Sequence, residues 1–368
     1  MGKVFDVAVV GCGEIAQVTH IPNLIIASHM FKVTALVDIS RQTLDYCSAK
    51  FGITETFSSV PDMLASSVPV DVVFICTADQ YHAEQAILCA DAGKHVMLEK
   101  PMVQTLKEAD AVEEARVRNN VVIFVGYMRR YATAFTRFKE AIAGKDIKYV
   151  RVRDIIGDNR FFTPQTGMYQ KMFTDYPPEA VADLKKRTKD NLEENFGSKA
   201  TDHPSNIGSW QILTAFSSHA LSAMREAIGL PEKVLVASRH GDLLRPNWWQ
   251  VLFDYGKFNA LYEMAVDDVG FFDAHIEVYT GDSRIKITYD SPYIRALPIK
   301  MTIHKSLPNG DFSEENVRST YVDFYNLALL EFYAAITEGK AFPTTVQDGK
   351  QDVILTKMIM NALVDTAQ

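Results

Sequence analysis

No run of apolar residues in this sequence approaches the roughly 20 needed to cross a bilayer. The mostly apolar stretch Val4 to Val10 is too short for a leader and carries no cleavage site. The chain is therefore expected to be soluble and unprocessed. Positive charge is also lacking: 38 Lys and Arg stand against 46 Asp and Glu, a net charge of −8 that opposes attraction to polyphosphate and removes nucleic acid as an expected partner. Cysteine is scarce. The four, Cys12, Cys47, Cys76 and Cys89, have wide, unequal gaps that match neither a zinc-ligand pattern nor a disulfide framework. They read as small buried thiols of a cytoplasmic protein without a metal site. Asp6 stands where an N-myristoylation signal after Met-Gly needs Ser or Thr, which excludes that anchor. No internal repeat or low-complexity tract is evident.

What is present is ordinary globular material, 47% apolar and 23% charged. At 368 residues the chain exceeds what one core usually supports, so two domains are expected. Up to Gly126, β-rich runs at Phe5–Val10, Lys32–Asp38, Val70–Cys76, His95–Leu98 and Val121–Val125 alternate with helical stretches at Glu14–Ser28, Arg41–Lys50, Tyr81–Ala92 and Leu106–Arg118. This is the pattern of a doubly wound parallel sheet. After Gly126 comes a helix at Ala132–Ala143, a strand at Lys148–Ile156, and a Pro-, Lys- and Glu-rich stretch to Asn206 in which the mixed charges of Leu184–Lys199 read as a solvated helix or loop. The runs Lys233–Ser238, Trp248–Asp254, Asn259–Val266, His275–Thr280, Arg284–Tyr289 and Ile299–His304 then follow through Gly-containing turns as an antiparallel sheet, closed by helices near Thr320–Thr337 and Asp348–Ala367. The expected fold class is α/β: a Rossmann domain over 1–126 and an α+β domain with a mostly antiparallel open sheet over 127–368.

Gly11-Cys12-Gly13-Glu14-Ile15-Ala16 follows the first strand and opens a helix, matching the G-x-G-x-x-G/A dinucleotide fingerprint. In that motif Gly11 permits the tight turn, Gly13 lets backbone approach a pyrophosphate, and Ala16 keeps the helix close to the sheet. Asp38, ending the second strand, lies 25 residues beyond Gly13, near the spacing at which an acid reaches the adenosine ribose hydroxyls. A carboxylate there favours NAD; Arg41 nearby keeps NADP open, and the bland alternative is a surface Asp closing a strand. Thr77-Ala78-Asp79-Gln80-Tyr81-His82 and Glu99-Lys100-Pro101 reach the carboxyl ends of later parallel strands, where such sheets bind ligands.

With these segments the chain resembles the glucose–fructose oxidoreductase/inositol dehydrogenase/MocA family, whose hallmark Glu-Lys-Pro stands here as Glu99-Lys100-Pro101. The likeness also runs through His20 and Pro22, Thr77 and His82, Gly93-Lys94-His95-Val96 and Gly126-Tyr127-Met128-Arg129-Arg130-Tyr131. It implies NAD(P)-dependent hydride transfer on hydroxyls of sugars or cyclitols, with substrate between the domains and Lys100 beside the nicotinamide, stabilising charge on the substrate oxygen. Glu14, Ile15, Ile39, Ala78, Glu99 and Met128 join Gly11, Gly13, Ala16, Asp38, Arg41, Thr77, His82 and Lys100 as expected cofactor contacts. The family's Asp-x-x-x-His pair falls on an expected helix Ser209–Gly229: its histidine is His219, a base suited to neutral pH, while its aspartate position holds Ala215. On one continuous helix these two positions would share a face. Arg129, Tyr131, Asp202, Asn206 and Trp210 are weaker substrate-site candidates, with core or salt-bridge roles as the alternative for Arg129 and Arg130. Trp248 and Trp249 suit alternate faces of a strand.

The leading expectation is an oxidoreductase acting on a secondary alcohol or ketone of a polyhydroxylated substrate. The missing aspartate keeps open imine or ketone reduction or redox-assisted elimination, and a non-enzymatic dinucleotide-sensing regulator is the alternative from another class. The family also implies a homodimer or homotetramer, through an uncovered apolar sheet face in Lys233–His304.

Overall fold

Valine and isoleucine dominate β1 (Phe5–Val10) and β4 (Val72–Ile75), which lie side by side and almost wholly buried, as central strands of a parallel sheet covered on both faces must. In a computed structural model, which describes residues 2–241, 247–297 and 299–365, they are flanked by β2 (Phe31–Val37), β3 (Glu55–Phe57), β5 (His95–Leu98) and β6 (Ile123–Val125). The six strands are parallel in the order β3-β2-β1-β4-β5-β6. Strand order reverses between β1 and β4, which opens a crevice at their carboxyl ends. The connecting helices are α1 (Ile21–Ile26), α2 (Arg41–Phe51), α3 (Val60–Ala65), α4 (His82–Asp91) and α5 (Leu106–Asn119). Local sequence sets their ends: Ser40 caps α2 by accepting from Thr43 N–H (3.0 Å), Gly52 stops it at φ 70°, and Thr105 with Glu108 forms a capping box on α5.

The helix expected over Glu14–Ser28 runs unbroken from Glu14 to Ile26, with a π-helical turn, Ala16–His20, leading into α1. Pro22 is the reason: it has no N–H to give and its ring crowds the carbonyl four residues back, so a regular α ladder cannot pass through. The short β3 and α3 were not foreseen.

Two compact units divide the chain, and neither is contiguous. The first is Met1–Gly126 with Thr166–Thr201 and Ala328–Val353; the second is Tyr127–Gln165 with Asp202–Leu327 and Ile354–Gln368. The sequential division 1–126 and 127–368 is corrected accordingly. The added pieces are built into the first unit. Phe332, fully buried on α10 (Phe324–Glu338), packs its ring 6.2, 6.1 and 5.4 Å from Phe31, Phe74 and Phe124. The charge-rich stretch forms α7 (Pro178–Phe196), which buries only Thr188 and Leu192 and meets the rest of its unit through polar contacts such as Gln80–Thr188 (3.1 Å) and Asn195–Gln104 O (2.9 Å).

The second unit carries an eight-stranded sheet in the order β14-β13-β12-β11-β7-β10-β9-β8. Its strands are β7 (Ile147–Gly157), β8 (Lys233–Gly241), β9 (Asn247–Asp254), β10 (Asn259–Asp267), β11 (Phe272–Thr280), β12 (Ser283–Tyr289), β13 (Lys300–Ser306) and the unforeseen β14 (Phe312–Val317). All neighbours are antiparallel except β7 and β10. The side-chain period of two sorts the faces. Val150, Val152, Tyr262, Ile276 and Ile287 line a buried face, on which α6 (Thr133–Ile142) packs against β12 and β13. The other face is laced with ion pairs: Arg151–Glu263 at 2.6 Å, Arg153–Glu263 at 3.2 Å and Arg153–Asp273 at 2.9 Å. The apolar open face expected to drive self-association is thus a charged one at its centre. Trp249 is buried and Trp248 is exposed, as alternate faces require. The expected helix Ser209–Gly229 is two helices, α8 (Pro204–Ala215) and α9 (Ser218–Ile228). The Thr214 hydroxyl bonds back to Trp210 O (2.9 Å), a contact that bends helices, just before the break at Phe216–Ser217. Helix α11 (Val346–Asp365) ends the described chain.

Candidate functional site

The crevice of the parallel sheet is shaped first by two glycines with different reasons to be there. Gly11 has φ +83°, and a Cβ on it would sit 2.7 Å from the Cys76 carbonyl and 2.8 Å from Thr77 N, so the close approach of the β1 and β4 ends demands glycine. A Cβ on Gly13 would meet nothing within 4 Å. The fold does not require that glycine; an open backbone face there is what a bound pyrophosphate needs. Ala16 is fully buried under the π-helical turn.

Asp38 ties this loop to the second strand. Its carboxylate accepts from Cys12 N–H and Ser40 N–H, both at 2.8 Å. Burial pushes its pKa up, the Ser40 and Cys12 N–H groups pull it down, and neighbouring Asp175 adds to the rise, leaving it above the usual value. Each oxygen keeps a second lone pair for a diol. Beside it lies a cleft of about 310 Å³ in which Ile39, Leu44 and Phe57 supply apolar surface and Asp38, Arg41, Thr56, Ser58 and Asp62 polar groups. Arg41 is paired along its own helix with Asp45 at 2.9 Å.

On the other side of the crevice, Glu99 is buried with both oxygens engaged: His20 Nε2 at 2.7 Å and the Lys100 N–H at 3.1 Å. Burial pushes the Glu99 carboxyl up, but His20 and the Lys100 charge outweigh it and hold it below its usual range. Glu99 therefore fixes the loop that carries Lys100, and the Lys100–Pro101 bond is cis. Buried His82 clamps the same loop, its ring nitrogens 2.8 Å from Pro101 O and 3.2 Å from Thr77 O. Thr77 Oγ1 donates to Gln85 at 2.7 Å, and Ala78 is exposed. Asp79 belongs to this cluster: burial raises its pKa, opposed first by His82 and then by Lys100.

In the second unit, Met128 is buried and Arg129 forms a buried 3.0 Å pair with Asp154, its guanidinium 5.0 Å from the Tyr289 ring. Burial raises the Tyr289 and Tyr262 hydroxyl pKa values in this neighbourhood. Arg130 pairs with Glu226, and Tyr131 is half-buried. His219 is half-buried in the first turn of α9, whereas Ala215 is the last residue of α8, so the two are no longer neighbours on one continuous helix. Asp202 is exposed before α8 and Asn206 half-buried in its first turn. Trp210 is fully buried, leaving no exposed ring face for a sugar.

Sequence reasoning missed the segment Thr166–Tyr176, which belongs to the first unit and straps the dinucleotide crevice. Gln17 holds it through Lys171, Tyr46 and Lys50 donate to the Tyr169 and Met168 carbonyls, and Asp175 accepts from Ser40 Oγ and Gln42 N–H. Gln17, one residue past the fingerprint, was the detectable end of this latch; nothing local marks Asp175. Among the described residues, no helix is long and apolar enough to cross a membrane and no cluster of His, Cys, Asp and Glu could hold a metal.

The model of an oxidoreductase family with an NAD-binding Rossmann fold matches residues 5–127. Myo-inositol 2-dehydrogenase of Thermotoga maritima is 31% identical over 136 residues, 37% of this chain and 40% of that protein. The matched stretch thus spans about 30 to 40% of the length of the first curated relatives. The NADP-dependent scyllo-inositol 2-dehydrogenase of Bacillus subtilis is 22% identical over 76% of this chain and 73% of its own. The fold extends further: aldose–aldose oxidoreductase from Caulobacter crescentus superposes with a TM-score of 0.70 over 99% of this chain and 98% of its own, at 18% identity.

Proposed function

We propose that the chain, whose residues 5–127 match an oxidoreductase family with an NAD-binding Rossmann fold, belongs with the glucose–fructose oxidoreductase/inositol dehydrogenase/MocA proteins and transfers a hydride between NAD(H) and a secondary alcohol or ketone of a sugar, cyclitol or related polyhydroxylated compound. The observation that carries this reading is the pairing of an open Gly13 face after β1 with a lysine whose backbone Glu99 holds just beyond the carboxyl end of β5 in the same sheet. Bound there, NAD would supply the hydride acceptor and NADH the donor. Gly13 and the first turn beyond it hold the pyrophosphate, Asp38 the adenosine ribose, and the cleft at Ile39 the purine. Lys100, oriented by Glu99 and Pro101, donates to the substrate oxygen and stabilises the charge that grows on it. His219 takes or returns the hydroxyl proton.

Ala215 supports a second direction of use. With no carboxylate at that position to favour an imidazolium, proton delivery during carbonyl reduction stays open to other groups, and Asp79, like Glu99, is a carboxylate within electrostatic reach of Lys100. Four free thiols support a reducing, cytosolic setting, and the family resemblance supports a homodimer or homotetramer.

Fluorescence titration with NADH and NADPH, followed by an absorbance screen of polyols, sugars and keto-sugars in both directions, tests the proposal. Cofactor binding with turnover that disappears in Lys100→Met is the expected result. Binding without turnover on any alcohol or carbonyl would favour the regulatory alternative, and no binding of either nucleotide would overturn the reading altogether.

A further inference from the structure

The geometry points to Asp175, on the strap that crosses the crevice, as the residue that excludes a 2′-phosphorylated dinucleotide. This rests on the proposed dinucleotide site. The first turn of α2 is well made to receive an anion: it offers the Gln42 N–H, the Ser40 hydroxyl and the positive end of an 11-residue helix, next to the carboxylate assigned to the ribose. NADP differs from NAD by a phosphate on that ribose. Here the anion is already supplied by the chain. Asp175 accepts from the Ser40 hydroxyl and, at 3.1 Å, from Gln42 N–H.

Ser40 is shared between two carboxylates, its N–H bonded to Asp38 and its hydroxyl to Asp175. A 2′-phosphate would have to displace one from its donors and stand against the charge of both. Arg41, the cation that would favour it, is turned to Asp45. The Ser40 and Gln42 hydrogen bonds hold the Asp175 carboxyl below its usual range, so the opposing charge is present at neutral pH. Asp38 alone disfavours NADP by one charge; Asp175 removes the donors as well, and it does so from a segment 135 residues away in sequence.

Dissociation constants for NADH and NADPH, measured by fluorescence in the full chain and in Asp175→Asn and Asp175→Ala, test this. The unchanged protein should prefer NADH by at least about 30-fold. Both variants should gain about 10-fold or more for NADPH while NADH stays within about threefold, which is about 1.4 kcal/mol of altered preference. Equal binding of the two nucleotides by the unchanged protein overturns the inference, as does a variant in which both affinities fall together, the mark of a merely structural strap contact. Failure of the unchanged protein to bind either nucleotide defeats the dinucleotide reading itself, and is seen before any variant is made.

Discussion

Gln17 and Lys171, 154 residues apart, exchange two hydrogen bonds: Gln17 Nε2 donates to Lys171 O at 2.9 Å and Lys171 N–H donates to Gln17 Oε1 at 3.0 Å. A buried side-chain amide thus pairs with a strap backbone as a neighbouring strand would, while also donating to Cys12 O in the glycine loop at 2.8 Å. Replacing Gln17 by Ala removes all three, at roughly 1 kcal/mol each for neutral bonds. Trypsin cleavage after exposed Lys171 should accelerate at least about 10-fold under native conditions, with circular dichroism unchanged. An unaltered cleavage rate would show that the strap is held elsewhere.

The two glycines of the fingerprint should separate under substitution. Gly11→Ala forces a side chain into Cys76 and Thr77 backbone at positive φ and should lower stability by about 2 kcal/mol or more. Gly13→Ala meets open space, so its melting temperature should stay within about 2 °C while NADH binding weakens at least about 10-fold. A Gly13 variant that binds NADH normally would detach that glycine from the cofactor.

Glu99 links pH to stability. Its folded pKa is depressed, so its contribution is fully present above the unfolded value of about 4.3 and is lost as pH falls through the lower folded value. His20→Leu leaves a buried carboxylate without its nearest partner and should cost about 3 kcal/mol at pH 7. That cost should shrink towards pH 4, because the stranded carboxyl can then protonate. A pH-independent penalty in thermal unfolding would assign the loss to packing alone.

Much of the first unit was legible because its strands are short Val/Ile runs and its glycines sit at a strand end. Asp38 is tied to the fingerprint loop through Cys12, and His20, one of the residues that carry the resemblance, holds Glu99 beside Lys100. What was hidden has physical causes. A π-helical turn precedes Pro22 where the apolar periodicity suggested a regular α ladder, and Thr214 bends a helix whose pattern runs straight through. Asp175 reaches Ser40 through tertiary folding alone. The charged sheet face is readable in the alternation Val150-Arg151-Val152-Arg153, which lies in β7, outside the Lys233–His304 run expected to carry an apolar face.

Self-association through that face should respond to salt. Arg151, Arg153, Glu263 and Asp273 offer both signs of charge to a second copy, and half-exposed pairs are screened over about 10 Å at 0.1 M. Light scattering after size exclusion should show an assembly above the 41.3 kDa chain mass at about 50 mM salt, shifting towards monomer at about 500 mM. A monomer at every ionic strength would exclude the oligomer; a salt-insensitive assembly would place its contact elsewhere.

Phe332 closes a cluster whose other rings, Phe31, Phe74 and Phe124, are made far earlier. During synthesis the first 126 residues leave the ribosome without the pieces Thr166–Thr201 and Ala328–Val353 that complete their unit. At roughly 5 to 20 residues per second, the wait lasts about 10 to 45 seconds. Through that interval the three early rings lack the partner that covers them, so the nascent sheet presents apolar surface of the kind that chaperones shield, and a messenger truncated before Phe332 is expected to yield an aggregating product rather than a free-standing nucleotide-binding module.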